Sequence, residues 1–172
     1  VQRTDPGAAR AAMIEVRVEA SFNHPAAAVW AGLIDHENFL SGAGTRCRLT
    51  QHGAPERGGL GAVREVHSGP LRLVEDITLA AAPTHMQYRI RELALARGPR
   101  IPFDHELGEI RVLDQPGGCQ VIWVSRFSVP VPLLGGWLQR RFAASTRPAF
   151  AGFLRRLGRR LDEQLVGATS QA

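Results

Sequence analysis

Between Thr45 and Ser128 the chain offers strand and turn signals with no helical pattern of useful length, and a single long amphipathic helix follows. That order leaves few architectures open. The strand candidates are Thr45–Gln51, Ala62–His67, Leu71–Leu79, His85–Glu92, Glu106–Leu113 and Cys119–Ser128, separated by Gly, Pro and polar clusters. Strands in direct succession predict an antiparallel meander. The helical signal runs from about Leu134 to Val166. There Phe150, Phe153, Leu154, Leu157, Leu161 and Leu165 recur at three- and four-residue steps, with Arg155, Arg156, Arg159 and Arg160 on the opposite, wet face. Pro148 must either kink this helix or start its second half, with Ser145 or Thr146 as a cap.

A further strand precedes these. Ile14, Val16, Val18, Ala20 and Phe22 alternate with Glu15, Arg17, Glu19 and Ser21, which predicts one buried and one wet face. Asn23 offers a helix cap and Pro25 an early helical position, so Ala26–Ile34 reads as a short helix and Glu37–Leu40 as another turn. The expected fold is therefore α+β. A seven-stranded curved antiparallel sheet wraps a long C-terminal helix, with two short helices after the first strand. One helix cannot fill a strongly curved sheet, so a cavity between the two is the expected functional feature.

Composition agrees with one globular domain: hydrophobic residues make up 44% and charged residues 22% of 172. A single domain over residues 13–166 is expected, with flexible tails at 1–12 and 167–172. The N-terminal stretch lacks the apolar core of a signal peptide and no run suffices for a membrane span, so a cytoplasmic location is expected. Cys47 and Cys119 lack CxxC or metal spacing; free thiols are favoured over one disulfide. All 21 basic residues are arginine, and the net charge is +5. With aromatic residues at only 6% and none interleaved with the helix arginines, no nucleic-acid partner is expected. A monomer or homodimer fits equally.

The ordered motifs resemble the START-like, or SRPBCC, helix-grip superfamily. A strand followed by FNHPAAAVWAGLIDHENF (Phe22 to Phe39) is similar to the opening of such domains. GAVREVHSGPLRLVEDIT (Gly61 to Thr78) is similar to their Gly-x-Val-Arg … Glu hairpin. Tyr88, VIWVSRFSVPVP (Val121 to Pro132) and the long helix complete the pattern, which spans Ile14 to Val166 and looks closest to the polyketide cyclase/dehydrase branch. The resemblance implies binding of a lipid, hormone or polyketide. It also leaves open a cyclase or dehydratase, and fold alone does not decide between them.

Strand parity predicts which polar groups face the cavity. Glu75 lies among Leu71, Leu73, Ile77 and Leu79 on the apolar face of its strand, where a carboxylate needs a partner. A two-residue Gly69-Pro70 turn sets Arg64 directly opposite Glu75. That inward ion pair fits either a cavity wall or a structural support. Tyr88 shares a face with Met86 and Ile90, placing its hydroxyl to orient a ligand or simply to cap the core. In the next hairpin Ile110 faces Trp123 and Val112 faces Val121. This turns Trp123, Ser125 and Phe127 inward, with Gly108 opposite Ser125 and Glu106, a second candidate carboxylate, opposite Phe127. A one-residue slip reverses every such assignment. Leu95 to Phe103 forms a Pro/Gly-containing connection that is either a lid or a surface loop.

The candidate pocket residues are thus Arg64, Glu75, Tyr88, Glu106 and Trp123. No HxH, HExxH, phosphate loop or nucleophile elbow is present, and no metal or cofactor is expected. Two functions fit: binding of a small lipid-like or polycyclic ligand, or a cofactor-independent cyclase/dehydratase in which Arg64 or Tyr88 polarises a carbonyl and Glu75 or Glu106 moves a proton. The arginine face of the last helix leaves partner binding as a third class.

Overall fold

A computed structural model describes residues 12–42 and 44–169, with side chains through Gln164. The elements are β1 (Ile14–Phe22), α1 (Ala26–Ile34), α2 (His36–Phe39), β2 (Thr45–Gln51), β3 (Val63–Ser68), β4 (Leu71–Ala81), β5 (His85–Leu95), β6 (Asp104–Gln115), β7 (Gly118–Ser128) and α3 (Gly135–Thr169). The strands form one curved antiparallel sheet in the order β1-β7-β6-β5-β4-β3-β2. β2 through β7 follow as a meander of sequence neighbours. α1 and α2 carry the chain from one edge of the sheet to the other, and α3 covers the inner face. This is the α+β helix-grip arrangement that the strand order implied. The tails expected at 1–12 and 167–172 lie outside the described residues, except for Ala12 and the last turn of α3, which stays helical through Thr169.

Phe153, Leu154, Leu157 and Leu161 of α3 are buried against Val29, Leu33, Ile110, Val112, Val121 and Trp123. Leu154 and Leu157 are each 1% exposed, and their burial stabilises the helix-on-sheet contact by roughly 2 kcal/mol apiece. A second cluster at the other end joins Val16, Phe127 and Val129 to Phe103, Phe142 and Phe150. Among the described residues no helix is long and apolar enough to cross a membrane. Cys47 and Cys119 are free and buried.

Three local expectations are corrected. The cap position of α1 is Pro25, with no side-chain cap, so Asn23 does not serve. Pro148 does not start a second half of α3. The helix runs through it, and Ser145 and Thr146 donate their hydroxyls back to the Phe142 carbonyl at 2.8 Å each rather than capping. Leu79 leaves the inner face, because an irregularity between Ile77 and Leu79 shifts the β4–β5 pairing and brings Ala80 opposite Met86.

Candidate functional site

The β3–β4 hairpin turns at Gly69 and Pro70, with Gly69 at a φ of +54° that suits a residue without a β-carbon. The resulting register sets Arg64 opposite Glu75, as the sequence required. Arg64 is 1% and Glu75 6% exposed. The Arg64 Nε donates to Glu75 Oε2 at 2.6 Å. Burial opposes the charge on Arg64 more than any single neighbour supports it, but the Glu75 carboxylate, with smaller contributions from Cys47 and Tyr88, raises its pKa on balance and keeps the guanidinium charged.

A second partner for Arg64 comes from α2 and was not foreseen. Arg64 Nη1 donates to His36 Nδ1 at 2.9 Å, while His36 Nε2 donates to the Gly58 carbonyl at 2.8 Å. These partners fix the tautomer, since the nitrogen facing a carbonyl carries the hydrogen and the one facing a guanidinium accepts. Burial, and then the charge of Arg64, lowers the His36 pKa from 6.5 to about 3, so the ring is neutral. Gly58 allows this approach: a β-carbon there would lie 2.1 Å from the Ile34 carbonyl oxygen and 3.0 Å from His36 Cδ2. The sequence gives little signal for His36, because the break at Asp35 between α1 and α2 resets the helical period.

Tyr88 stands on the other side of Arg64, whose guanidinium carbon lies 4.8 Å from the ring centroid. Trp123 Nε1 donates to the Tyr88 hydroxyl at 3.0 Å. Burial pushes the phenol well above its ordinary value, so it remains protonated. Gly108 makes room for the ring; a β-carbon there would lie 2.3 Å from Tyr88 Cζ. His105 stacks on Tyr88 with centroids 5.5 Å apart. It accepts from the Ile90 amide at Nδ1 (3.0 Å) and donates from Nε2 to Ser125 Oγ (3.1 Å). Burial, then Arg89 and Arg64, lowers its pKa from 6.5 to about 4.

Glu106 corrects the sequence reading. The pairings Gly108–Ser125, Ile110–Trp123 and Val112–Val121 hold, but a bulge between His105 and Leu107 places His105, not Glu106, opposite Phe127. The bulge turns Glu106 to the exposed outer face and His105 inward. A bulge carries no sequence mark here, so parity counting places Glu106 inward. Of the Leu95 to Phe103 connection, read as either a lid or a surface loop, Ile101 and Phe103 pack against the core and do not line the cavity.

Between sheet and helix lies a cavity of about 130 Å³. Arg64, Glu75, Tyr88, Trp123 and Ser125 form its polar-tipped wall, and Leu40, Val66, Leu71, Leu73 and Ile90 its apolar wall. α3 closes it with Phe142, Ser145, Thr146, Ala149, Phe150 and Phe153. Phe150 stacks on Trp123 with centroids 3.6 Å apart and planes 7° from parallel. The arrangement can bury an apolar body and present it with a guanidinium, a carboxylate, a protonated phenol and a hydroxyl. Among the described residues no group of three or more His, Cys, Asp or Glu side chains is placed to hold a metal ion.

Comparison with known proteins agrees with this architecture. The fold is similar to that of the Zhui aromatase/cyclase from Streptomyces sp. R1128, with a TM-score of 0.67, 16% identity, and coverage of 90% of this chain and 96% of that one. A protein from Arthrobacter aurescens has a TM-score of 0.65 at 14% identity, covering 87% of this chain and 86% of that one. Protein Ms6760 from Mycobacterium smegmatis has a TM-score of 0.62 at 12% identity, covering 87% and 92%. No curated protein matches the chain by sequence. The family model described as polyketide cyclase/dehydrase and lipid transport matches residues 13–162, and the chain belongs to that family.

Proposed function

We propose that the protein binds a small hydrophobic ligand carrying an aromatic ring or short apolar chain in the cavity between the sheet and α3. The observation that carries this reading is a largely apolar space between sheet and helix into whose sheet wall Arg64, Glu75, Tyr88, Trp123 and Ser125 bring the charged and aromatic polar groups. Burial of the ligand supplies affinity, and that wall supplies orientation. The cavity, at about 130 Å³, is close to the roughly 150 Å³ that accepts benzene in an engineered protein core. It therefore takes one ring as it stands. A lipid-like or polycyclic ligand requires Phe150 to leave its stack on Trp123 and α3 to move outward.

A cyclase/dehydratase activity is the second reading, supported by the family and by Arg64 and Tyr88 both reaching an apolar space. In it the protonated Tyr88 hydroxyl and the Arg64 guanidinium polarise a ligand carbonyl while the cavity holds the chain folded. Glu75 is committed to Arg64, and His36 and His105 are engaged on both ring nitrogens outside the cavity lining. The wall is thus better equipped to orient than to move protons, which favours binding.

Native mass spectrometry of the purified protein, followed by extraction of any bound molecule, tests the first reading. A stoichiometric hydrophobic species supports it, and a protein that neither carries nor takes up such molecules refutes it. The recovered ligand then separates the two readings through Tyr88→Phe. A carrier loses at most modest affinity, whereas an enzyme keeps its ligand and loses turnover by about a hundredfold.

A further inference from the structure

Three arginines of α3, Arg155, Arg156 and Arg159, line one groove outside the cavity. Gly152 provides the common floor: a β-carbon there would lie 3.7 Å from Arg156 Nη1 and 4.0 Å from Arg155 Nη2. Arg159 lines the same groove, together with Gly42, Thr45, Pro148, Ala149 and Phe153. The groove shares Thr45, Ala149 and Phe153 with the cavity wall, so the two spaces adjoin across these residues. Arg156 stands against that shared wall. Its guanidinium carbon stands 4.7 Å from the centroid of Phe153, a ring that also lines the cavity. Its Nη2 is buried without a hydrogen-bond partner. Among the described residues no carboxylate pairs with Arg155, Arg156 or Arg159. Asp162 is engaged with His24 and Glu37 with Arg57, while Glu163, one turn beyond Arg159 on α3, is exposed and forms no ion pair among the described residues.

Like charges held together with an unfilled donor form a site for an oxyanion. We propose that Arg155, Arg156 and Arg159 bind the carboxylate head of an amphipathic acid whose apolar part enters the cavity. The proposal rests on the cavity-binding reading and names the ligand class for it: a monocarboxylic acid with an aryl or short alkyl body. Burial, then repulsion from Arg160 and Arg159, already lowers the Arg156 pKa, and a bound anion relieves that repulsion.

The test is calorimetric titration of the protein, at low and at high salt, with a series of phenylalkanoates and the matching neutral amides. Amide binding reports the cavity alone; the acid-to-amide ratio reports the arginines. At low salt the acid of optimal length binds about tenfold tighter than its amide. The ratio shrinks with salt and falls to about one in the Arg155→Gln/Arg156→Gln variant, whose fold is checked by its thermal melt. If amides bind and acids gain nothing over them, the anion site is overturned while the cavity reading stands. A ratio that survives in the double variant also overturns it. If neither acid nor amide binds, both readings fall. Inorganic phosphate, too polar for the cavity, gives a further arm. Should phosphate perturb the Arg155 and Arg156 side-chain resonances while acids show no advantage, the arginines are a general surface charge and the proposal fails.

Discussion

Glu75 occupies a position that its neighbours Leu73 and Ile77 mark as apolar, and the chain tolerates it because Arg64 meets it across one pair of strands. A buried pair of this kind contributes little net stability, but breaking it leaves one charge stranded in a dry interior. Glu75→Gln should therefore cost about 3–5 kcal/mol in urea unfolding, and a paired apolar replacement, Arg64→Met with Glu75→Leu, should recover most of it. Recovery together with loss of ligand would separate a positioning role from mere support. Tyr88→Phe strips the acceptor from the buried Trp123 indole and should cost about 1–3 kcal/mol. Two of the three buried histidines, His36 and His105, predict a pH dependence. Each is neutral when folded, with pKa values of about 3 and about 4, against 6.5 ordinarily. Below about pH 6.5 the unfolded chain binds more protons than the folded one. Stability is then complete above that pH and falls as pH drops, by up to about 1.4 kcal/mol per pH unit for each histidine. Unfolding free energies measured from pH 7 to pH 5 should show this slope, and His105→Asn should remove about half of it. A flat profile would contradict the neutral assignments.

The strands and α3 were legible as elements because their apolar residues keep a period of two or of three to four. Register was legible where a glycine turn pins it. Gly69-Pro70 sets Arg64 opposite Glu75, and the turn at Pro116 and Gly117 sets Ile110 opposite Trp123. What escaped lies past the bulges. One extra residue between His105 and Leu107 exchanged Glu106 for His105, and the irregularity after Ile77 exchanged Leu79 for Ala80. His36 escaped because it projects from a four-residue helix, too short to show a face. The α3-to-sheet contact has its own prediction. Phe150 fills the space beside Trp123, so Phe150→Ala should lower stability by about 3 kcal/mol and enlarge the cavity. The variant should gain affinity for two- and three-ring aromatic ligands relative to the native chain, read by calorimetry. Unchanged selectivity would mean that Phe150 does not set the size limit.

On the scale of the whole molecule, the fold follows from a mismatch of shapes. Seven strands bend into a trough that one helix closes without filling. The sheet supplies Arg64, Glu75, Tyr88, Trp123 and Ser125 as a fixed wall, and α3 supplies a wall whose position sets the volume. The internal space is thus a consequence of the architecture, while its chemistry comes from a few polar side chains at inward strand positions. The most direct measurement is a nuclear magnetic resonance titration with benzene, a probe of the size of the space. The account predicts saturable one-to-one binding that shifts the Trp123 indole N–H, identified with Trp123→Phe, together with the rings of Tyr88, Phe150 and Phe153. Saturation that leaves those resonances unmoved, or no binding at the solubility limit of benzene, would contradict a ligand cavity between the sheet and α3.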